Sequence, residues 1–435
     1  MRRNNSISKR WSSPVPLPDS PSKVPGQSPV TPVDGAAPSQ AGSPEPKPTP
    51  EIPLMPAFLQ LNSKEIHDSF MELARLENER IAEKFKNPSM DAQWARLDPD
   101  PTRDRYVNVH PWANNRVHLK VPKGYNDYIN ASPITLVPTS GVQGQARTGS
   151  QHKYICMQGP KRETVDHVWH MVWHELATPA VIIMLSPTHG PHPNVLGAVS
   201  EKCFPYFPAD EDSSPIVINE ASQLGDNFKG TIRFDSREPT PPGTDIEIRK
   251  LIMNVEGEDK EKPIWHFLYP SWPDFGALEA KNVDSIISLM SMSREKNSNA
   301  ENPRIVHCSA GVGRTGTFVA LEFLIAELQG GAWERWDKSD SSDKDPVFDT
   351  VNQLRTQRRT MVQSYEQYVF IYEVLRKVWE EKYGTRQVEG GDHQRPRTAG
   401  NIGSSTSRPP TPGIPEIKLA VPRNSRGSGK STGGG

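Results

Sequence analysis

The stretch RIVHCSAGVGRTGTFVALEFLIAEL, residues 304–328, does most to restrict the fold of this chain. RIVH reads as a short strand. The small residues after Cys308, with Gly311 and Gly313 among them, read as a loop. The apolar periodicity after Arg314 reads as a helix that stops at Gly330-Gly331. Other strand-like runs are DYINASPI, KYICMQG, AVIIMLS, GTIRF, IEIRKLIMNV and IWHFLYP. Helical patterns lie among and after them: VDHVWHMVWHEL, VDSIISLMSM and YVFIYEVLRKVW. Strands mixed with helices predict an α/β fold, a twisted mixed β-sheet flanked by α-helices.

The ends are different in kind. Residues 1–57 are dominated by Pro, Ser, Gly and Ala, and 384–435 by Gly, Ser, Pro and Arg. Such segments bury too little apolar surface to offset chain entropy, so disordered tails are expected. Residues 58–383 carry no linker or internal repeat and are expected to form one domain. Its opening helix is marked by Asn62, three residues before Glu65 in capping-box spacing. Ile66, Phe70, Leu73, Ile81 and Phe85 then recur at roughly helical spacing. VPTSGVQGQARTGSQH and ERWDKSDSSDKDP read as surface loops.

Placed between a strand end and a helix N-terminus, Cys308 sits where the N–H groups of Ser309, Ala310, Gly311, Val312, Gly313 and Arg314 can converge. Such a nest binds tetrahedral oxyanions. Gly311 and Gly313 permit the backbone angles that this requires. Arg314 can clamp two phosphate oxygens. The same positive field favours thiolate, and comparable sites lower a cysteine pKa from ~8.5 into the range ~3.5–7.5. Cys308 is thus placed to bind a phosphate and to attack it, with Thr315 able to hydrogen-bond the sulfur. Cys-x5-Arg alone is common by chance. A nucleotide cradle would need the Lys-Ser/Thr pair of a Walker motif, which is absent. His307 alone reads as a core histidine, and Cys156 and Cys203 as inert core thiols.

Together these residues resemble the tyrosine-specific branch of the protein tyrosine phosphatase family, non-receptor type, and fungal-type enzymes with long tails in particular. The resemblance covers about Phe58 to Tyr383 and rests on several motifs. HCSAGVGRTG resembles the family's phosphate-binding loop, which implies catalytic roles for His307, Cys308, Arg314 and Thr315. WPDFG resembles its mobile general-acid loop, which makes Asp274 the acid and brings Phe275 to the substrate. DRYVNVHP resembles the phosphotyrosine loop, with Tyr106 as a wall of a deep pocket and Asn108 on the substrate backbone. LRTQRRTMVQSYEQYVF resembles the glutamine loop, with Gln363 positioning water and Gln367 nearby. The implied reaction is hydrolysis of phosphotyrosine in proteins through a phosphocysteine, without cofactor or metal.

The chain departs from the family pattern at three places. Asn108 stands where an Asp is usual, which removes a charge from the substrate contact. The family usually carries a Glu that pairs with the loop arginine; here the segment SPTHGPHPNVLGAVSEKC is longer and altered, and Glu201 is the nearest acidic candidate. Phe207 replaces a usual Trp. Two other functions compete. A catalytically dead phosphotyrosine-binding module should lack Cys308, Arg314 or Asp274, and all three are present. A dual-specificity or phosphoinositide phosphatase should have a shallower or more basic pocket. The Tyr106 motif and the lack of lysine in CSAGVGR argue against both.

The net charge of −1 does not call for nucleic acid or an anionic membrane as partner. Three cysteines are too few for a disulfide framework. The chain opens without a charged-then-apolar leader, and its apolar runs fall far short of the ~20 residues that span a bilayer. The expectation is a soluble monomer in the cytoplasm, with the nucleus as a second compartment. Its expected partners are tyrosine-phosphorylated proteins. Lys9-Arg10, shortly before Val15 and Leu17, resembles a docking motif for mitogen-activated protein kinases, although such short patterns also arise by chance in tails. Ser13, Ser20, Ser28, Thr31, Ser43, Thr49 and Thr411 each precede a proline and could take proline-directed phosphorylation.

Overall fold

The computed structural model describes residues 53–86, 94–95, 97–138, 152–192, 195–278, 282–334 and 345–384. Lys9, Arg10, Val15, Leu17, the Ser-Pro and Thr-Pro pairs, nearly all of both tails, the Phe85 side chain and most of the two expected surface loops lie outside these residues.

The opening helix α1 (Ser63–Lys86) starts at the box read from sequence. The Asn62 side chain accepts from the N–H of Lys64 and Glu65, and the Glu65 carboxylate accepts from the Asn62 N–H. All seven anticipated strands form: β1 (Ala131–Leu136), β2 (His152–Met157), β3 (Ala180–Met184), β7 (Gly230–Glu238), β8 (Glu247–Val255), β9 (Lys262–Leu268) and β10 (Arg304–His307). Three short strands join them: β4 (His189–Pro191), β5 (Val199–Glu201) and β6 (Ile216–Ile218). The main sheet has eight strands in the order β1-β2-β10-β3-β9-β8-β7-β6, and β4 pairs with β5 in a separate hairpin.

The centre of the sheet is parallel. β10 runs parallel to β2 and β3, and β3 runs parallel to β9. The flanks are antiparallel. Parallel strands buried on both faces read as continuous apolar runs, and every residue of β3 is buried. Alternation along a strand then divides the core. Val181, Ile183 and Val306 pack on one face with α4 (Gly313–Gln329) and α6 (Tyr365–Tyr383). Ala180, Ile182, Met184 and Ile305 pack on the other with α2 (Val165–Glu175).

The parallel centre decides where a site can lie. The loops after β2, β3, β9 and β10 all leave at one edge of the sheet, the carboxyl edge where ligands of open α/β sheets bind. Helix α3 (Val283–Glu295) precedes β10. Helix α5 (Pro346–Gln357) was not anticipated, although Asp345 accepts from the N–H of Val347 and Phe348 and Pro346 occupies the first turn. Among the described residues, no helix is long and apolar enough to cross a membrane.

Candidate active site

The loop Cys308–Val312 is held from behind by its carbonyls. The Cys308 carbonyl accepts from His307 Nδ1 at 3.1 Å, and Ser309 from the Gly159 N–H at 2.8 Å. Arg358 reaches the carbonyls of Ala310 and Gly311 at 3.3 and 2.9 Å. The Val312 carbonyl accepts from the N–H of Gly316 and of Val362. Carbonyls turned into the protein leave the N–H groups on the opposite side, facing the site. The Gly311 N–H points at Cys308 Sγ at 3.3 Å.

Two glycines of this stretch differ in what they do, and Gly311 is the one the backbone requires. Gly311 has φ +71°, and a Cβ would lie 2.0 Å from the Met157 carbonyl oxygen. Gly313 has no unusual φ, which corrects the expectation from sequence. Its Cβ would instead press on the amides of Gln367 and Gln363, at 3.0 and 3.2 Å. The side chains of Ala310 and Val312 join the apolar core under the loop.

Burial by itself would raise the Cys308 thiol pKa. The Arg314 charge, the Thr315 hydroxyl and the N–H groups of Thr315 and Gly311 outweigh it, so the thiol lies below its ordinary value. The Thr315 hydroxyl is itself buried and has no other hydrogen-bond partner among the described residues. Cys156, in the same core, is pushed up to about 12 by burial, and burial pushes Cys203 higher still. His307 does not face the reacting atoms. Its Nε2 meets the Tyr206 hydroxyl at 2.7 Å, and burial lowers its pKa to about 4. It is therefore neutral, donating from Nδ1 to the Cys308 carbonyl and accepting at Nε2, and it fixes the backbone beside the thiol.

The segment after β9 is docked over the loop. Arg314 donates to the Trp272 carbonyl at 3.0 Å and pairs with Asp274 at 2.6 Å. The second Asp274 oxygen lies 2.6 Å from Lys202 Nζ. Glu201 does not take the place expected for it. Its carboxylate pairs with Arg105 at 3.0 Å, and the carboxylate partner of Arg314 is Asp274. Tyr106 borders the loop with its hydroxyl 2.7 Å from Ser309 Oγ, which donates to the Lys202 carbonyl at 2.8 Å. Asn108 is half-buried two residues on, and Phe275, at 45 % exposure, lies at the rim.

Opposite, the Gln363 N–H donates to Gln367 Oε1 at 3.0 Å, which sets the two amides side by side against Gly313. The turn before them is strained. Thr360 and Val362 are β-branched residues at φ +63° and +55°. Arg355 holds the carbonyls of Met361 and Val362 at 3.1 and 3.0 Å. Glu77 of α1 accepts from the Thr360 N–H and hydroxyl at 3.1 and 3.2 Å. The sequence reading overlooked Lys202, Arg358, Arg355 and Glu77. The one local signal was their density of charge beside apolar motifs.

A thiol whose ionisation is favoured, in an anion-binding loop with a carboxyl group and two amides nearby, can attack a phosphate, protonate what leaves and hold water for a second step. A family model for protein-tyrosine phosphatases matches residues 100–377. This chain belongs to the protein-tyrosine phosphatase family. Members of this family are phosphoric monoester hydrolases. The chain is 32 % identical to tyrosine-protein phosphatase 1 of Saccharomyces cerevisiae, over 73 % of this chain and 95 % of that protein. It is 31 % identical to tyrosine-protein phosphatase 2 of Schizosaccharomyces pombe over 70 % of this chain, a match that spans 38 % of the longer relative. Among solved structures, a complex of PTPN18 with HER2 phosphopeptides shares the fold at TM-score 0.53 and 24 % identity, over 72 % of this chain and 92 % of that one.

Proposed function

We propose that residues 58–383 form a catalytic domain that hydrolyses phosphotyrosine in proteins through a phosphocysteine on Cys308. The observation that carries this reading is Arg314 in the first turn of α4, which pairs with Asp274 at 2.6 Å and favours the Cys308 thiolate in the adjoining loop. Sγ attacks phosphorus while Arg314 and the loop N–H groups hold the oxygens. The P–O bond to the ring breaks, and the leaving phenolate takes a proton from Asp274. Water held by Gln363, with Gln367 beside it, then attacks the phosphocysteine. Asp274 takes the water's proton, phosphate is released, and the thiolate returns.

Depth supports selectivity for phosphotyrosine. Cys308 is 3 % exposed, and Tyr106 borders its loop. A phosphate on a short serine side chain would not reach the sulfur. Purified protein is expected to dephosphorylate a phosphotyrosine peptide at least ~10²-fold faster than the same peptide with phosphoserine, a ratio set by near-attack geometry. Comparable rates on the two would overturn the selectivity.

As finer readings, the substrates include mitogen-activated protein kinases and the role is in signalling. The Lys9-Arg10 to Val15/Leu17 spacing in the N-terminal tail supports this. A tethered kinase presents its phosphotyrosine at raised local concentration. Deleting residues 1–57 is then expected to slow dephosphorylation of the folded phospho-kinase and to leave small-substrate kinetics nearly unchanged. Neutralising Lys9 and Arg10 should reproduce much of that loss, and salt should mask it. Equal rates for both forms on the kinase would remove the docking role.

A further inference from the structure

The docked Asp274 loop is anchored through its backbone on both sides of Asp274. On one side Arg314 donates to the Trp272 carbonyl. On the other, the Ser364 hydroxyl donates to the Phe275 carbonyl at 2.8 Å. These anchors differ in what else they must do. Arg314 also pairs with Asp274, and an incoming phosphate dianion competes for the same guanidinium. Ser364 has no duty to the phosphate. Phe275 itself is in the left-handed region, at φ +57°, a strained conformation for a bulky residue that needs support from outside the loop.

Ser364 is also the N-cap of α6. Its Oγ accepts from the Gln367 N–H at 3.1 Å, and its N–H donates to Gln367 Oε1 at 3.3 Å, closing a capping box. The same Gln367 oxygen accepts from the Gln363 N–H. One hydroxyl thus accepts from the first turn of the helix that carries Gln367, directly after Gln363, and donates to the loop that carries the acid. A hydroxyl can do both at once, because it offers one donor and two acceptor positions.

We propose that Ser364 is the latch of the Asp274 loop, a positioning residue that holds the acid over Cys308 and couples its docking to the glutamine pair. This rests on Asp274 being the general acid.

Glycine and threonine at an N-cap are nearly equal, and only threonine keeps the donor. The test therefore compares Ser364→Gly with Ser364→Thr in the full chain. Each is assayed on a phosphotyrosine peptide and on an aryl phosphate whose phenol is strongly acidic. The glycine variant is expected to fall about five-fold below the threonine variant in kcat/KM on the peptide, the effect of one hydrogen bond on the step in which the leaving group is protonated. On the activated ester, which needs little acid help, the two should agree within about two-fold. Threonine should restore most of the wild-type rate. Equal rates for glycine and threonine on the peptide, or equal losses on both substrates, would mean that Ser364 only caps the helix, and would overturn the latch. Asp274→Ala measured alongside separates the two levels. If it keeps its usual preference for activated esters while glycine and threonine match, the latch alone is wrong. If it shows no such preference, the acid assignment and the latch fall together.

Discussion

Replacing Cys308 by serine is expected to lower turnover of a phosphotyrosine peptide by on the order of 10⁴-fold or more, with peptide binding retained. The anion-binding parts are untouched: the carbonyls of residues 308–312 keep their anchors, and Arg314 keeps its place against Trp272. What is lost is the ionised sulfur. The field of Arg314, with the Thr315 and Gly311 groups, favours ionisation of a thiol, but a hydroxyl starts from a far higher pKa. The direction of the shift gives a second check on the wild-type protein. A depressed pKa means that thiolate persists as pH falls, so alkylation by iodoacetate should have its midpoint below the ~8.5 of a free cysteine and be lost only beneath it. Cys156 and Cys203, both pushed up by burial, should stay unmodified at neutral pH. Normal turnover by Cys308→Ser, or a midpoint at or above that of a free thiol, would remove Cys308 as the nucleophile.

Local pattern made the strand, loop and helix around Cys308 legible, because each piece announces itself within a few residues. The same is true of the Asn62 box and of all seven principal strands. What the sequence could not supply was strand order, which depends on contacts between distant segments, and with it the parallel centre that gathers four loops at one edge. The error over Glu201 has the same origin. It is the acidic residue nearest in the chain, but it lies next to Lys202 at the end of β5, and neighbours along an extended chain point to opposite sides. Lys202 therefore reaches Asp274 while Glu201 turns to Arg105. Gly313 was assigned a backbone role when the real constraint is the approach of Gln363 and Gln367. Thr360 and Val362 could not be read at all. Neither residue type favours positive φ, and the turn is held by Arg355 and Glu77, from two helices, and by the Val312 carbonyl. Ser364 was within reach, since Ser364 and Gln367 have capping-box spacing, but its donor bond to Phe275 is a tertiary contact.

Asp274→Ala is expected to cut kcat on a phosphotyrosine peptide by ~10²–10⁴, the range of general-acid help. The loss should depend on the leaving group. Tyrosine leaves as a phenolate of pKa ~10 and needs the proton. An aryl phosphate with a strongly acidic phenol leaves largely unaided, so the variant should approach the wild-type kcat/KM on it, the quantity that reports attack on the ester and not the later step in which Asp274 takes the water's proton. The structure adds an expectation about binding. Asp274 stands between Arg314 and Lys202, 2.6 Å from each. Without its carboxylate, both cations face the substrate dianion with one negative charge fewer between them. KM should therefore fall together with kcat, the pattern of a variant that holds substrate better in the ground state than in the transition state. A carboxylate that served only as an ion-pair partner, with no part in proton transfer, would change kcat/KM to the same extent on both kinds of ester. A uniform loss in kcat/KM across leaving groups, or a rise in KM, would return Asp274 to a structural ion pair and leave the leaving-group proton without a source in this site.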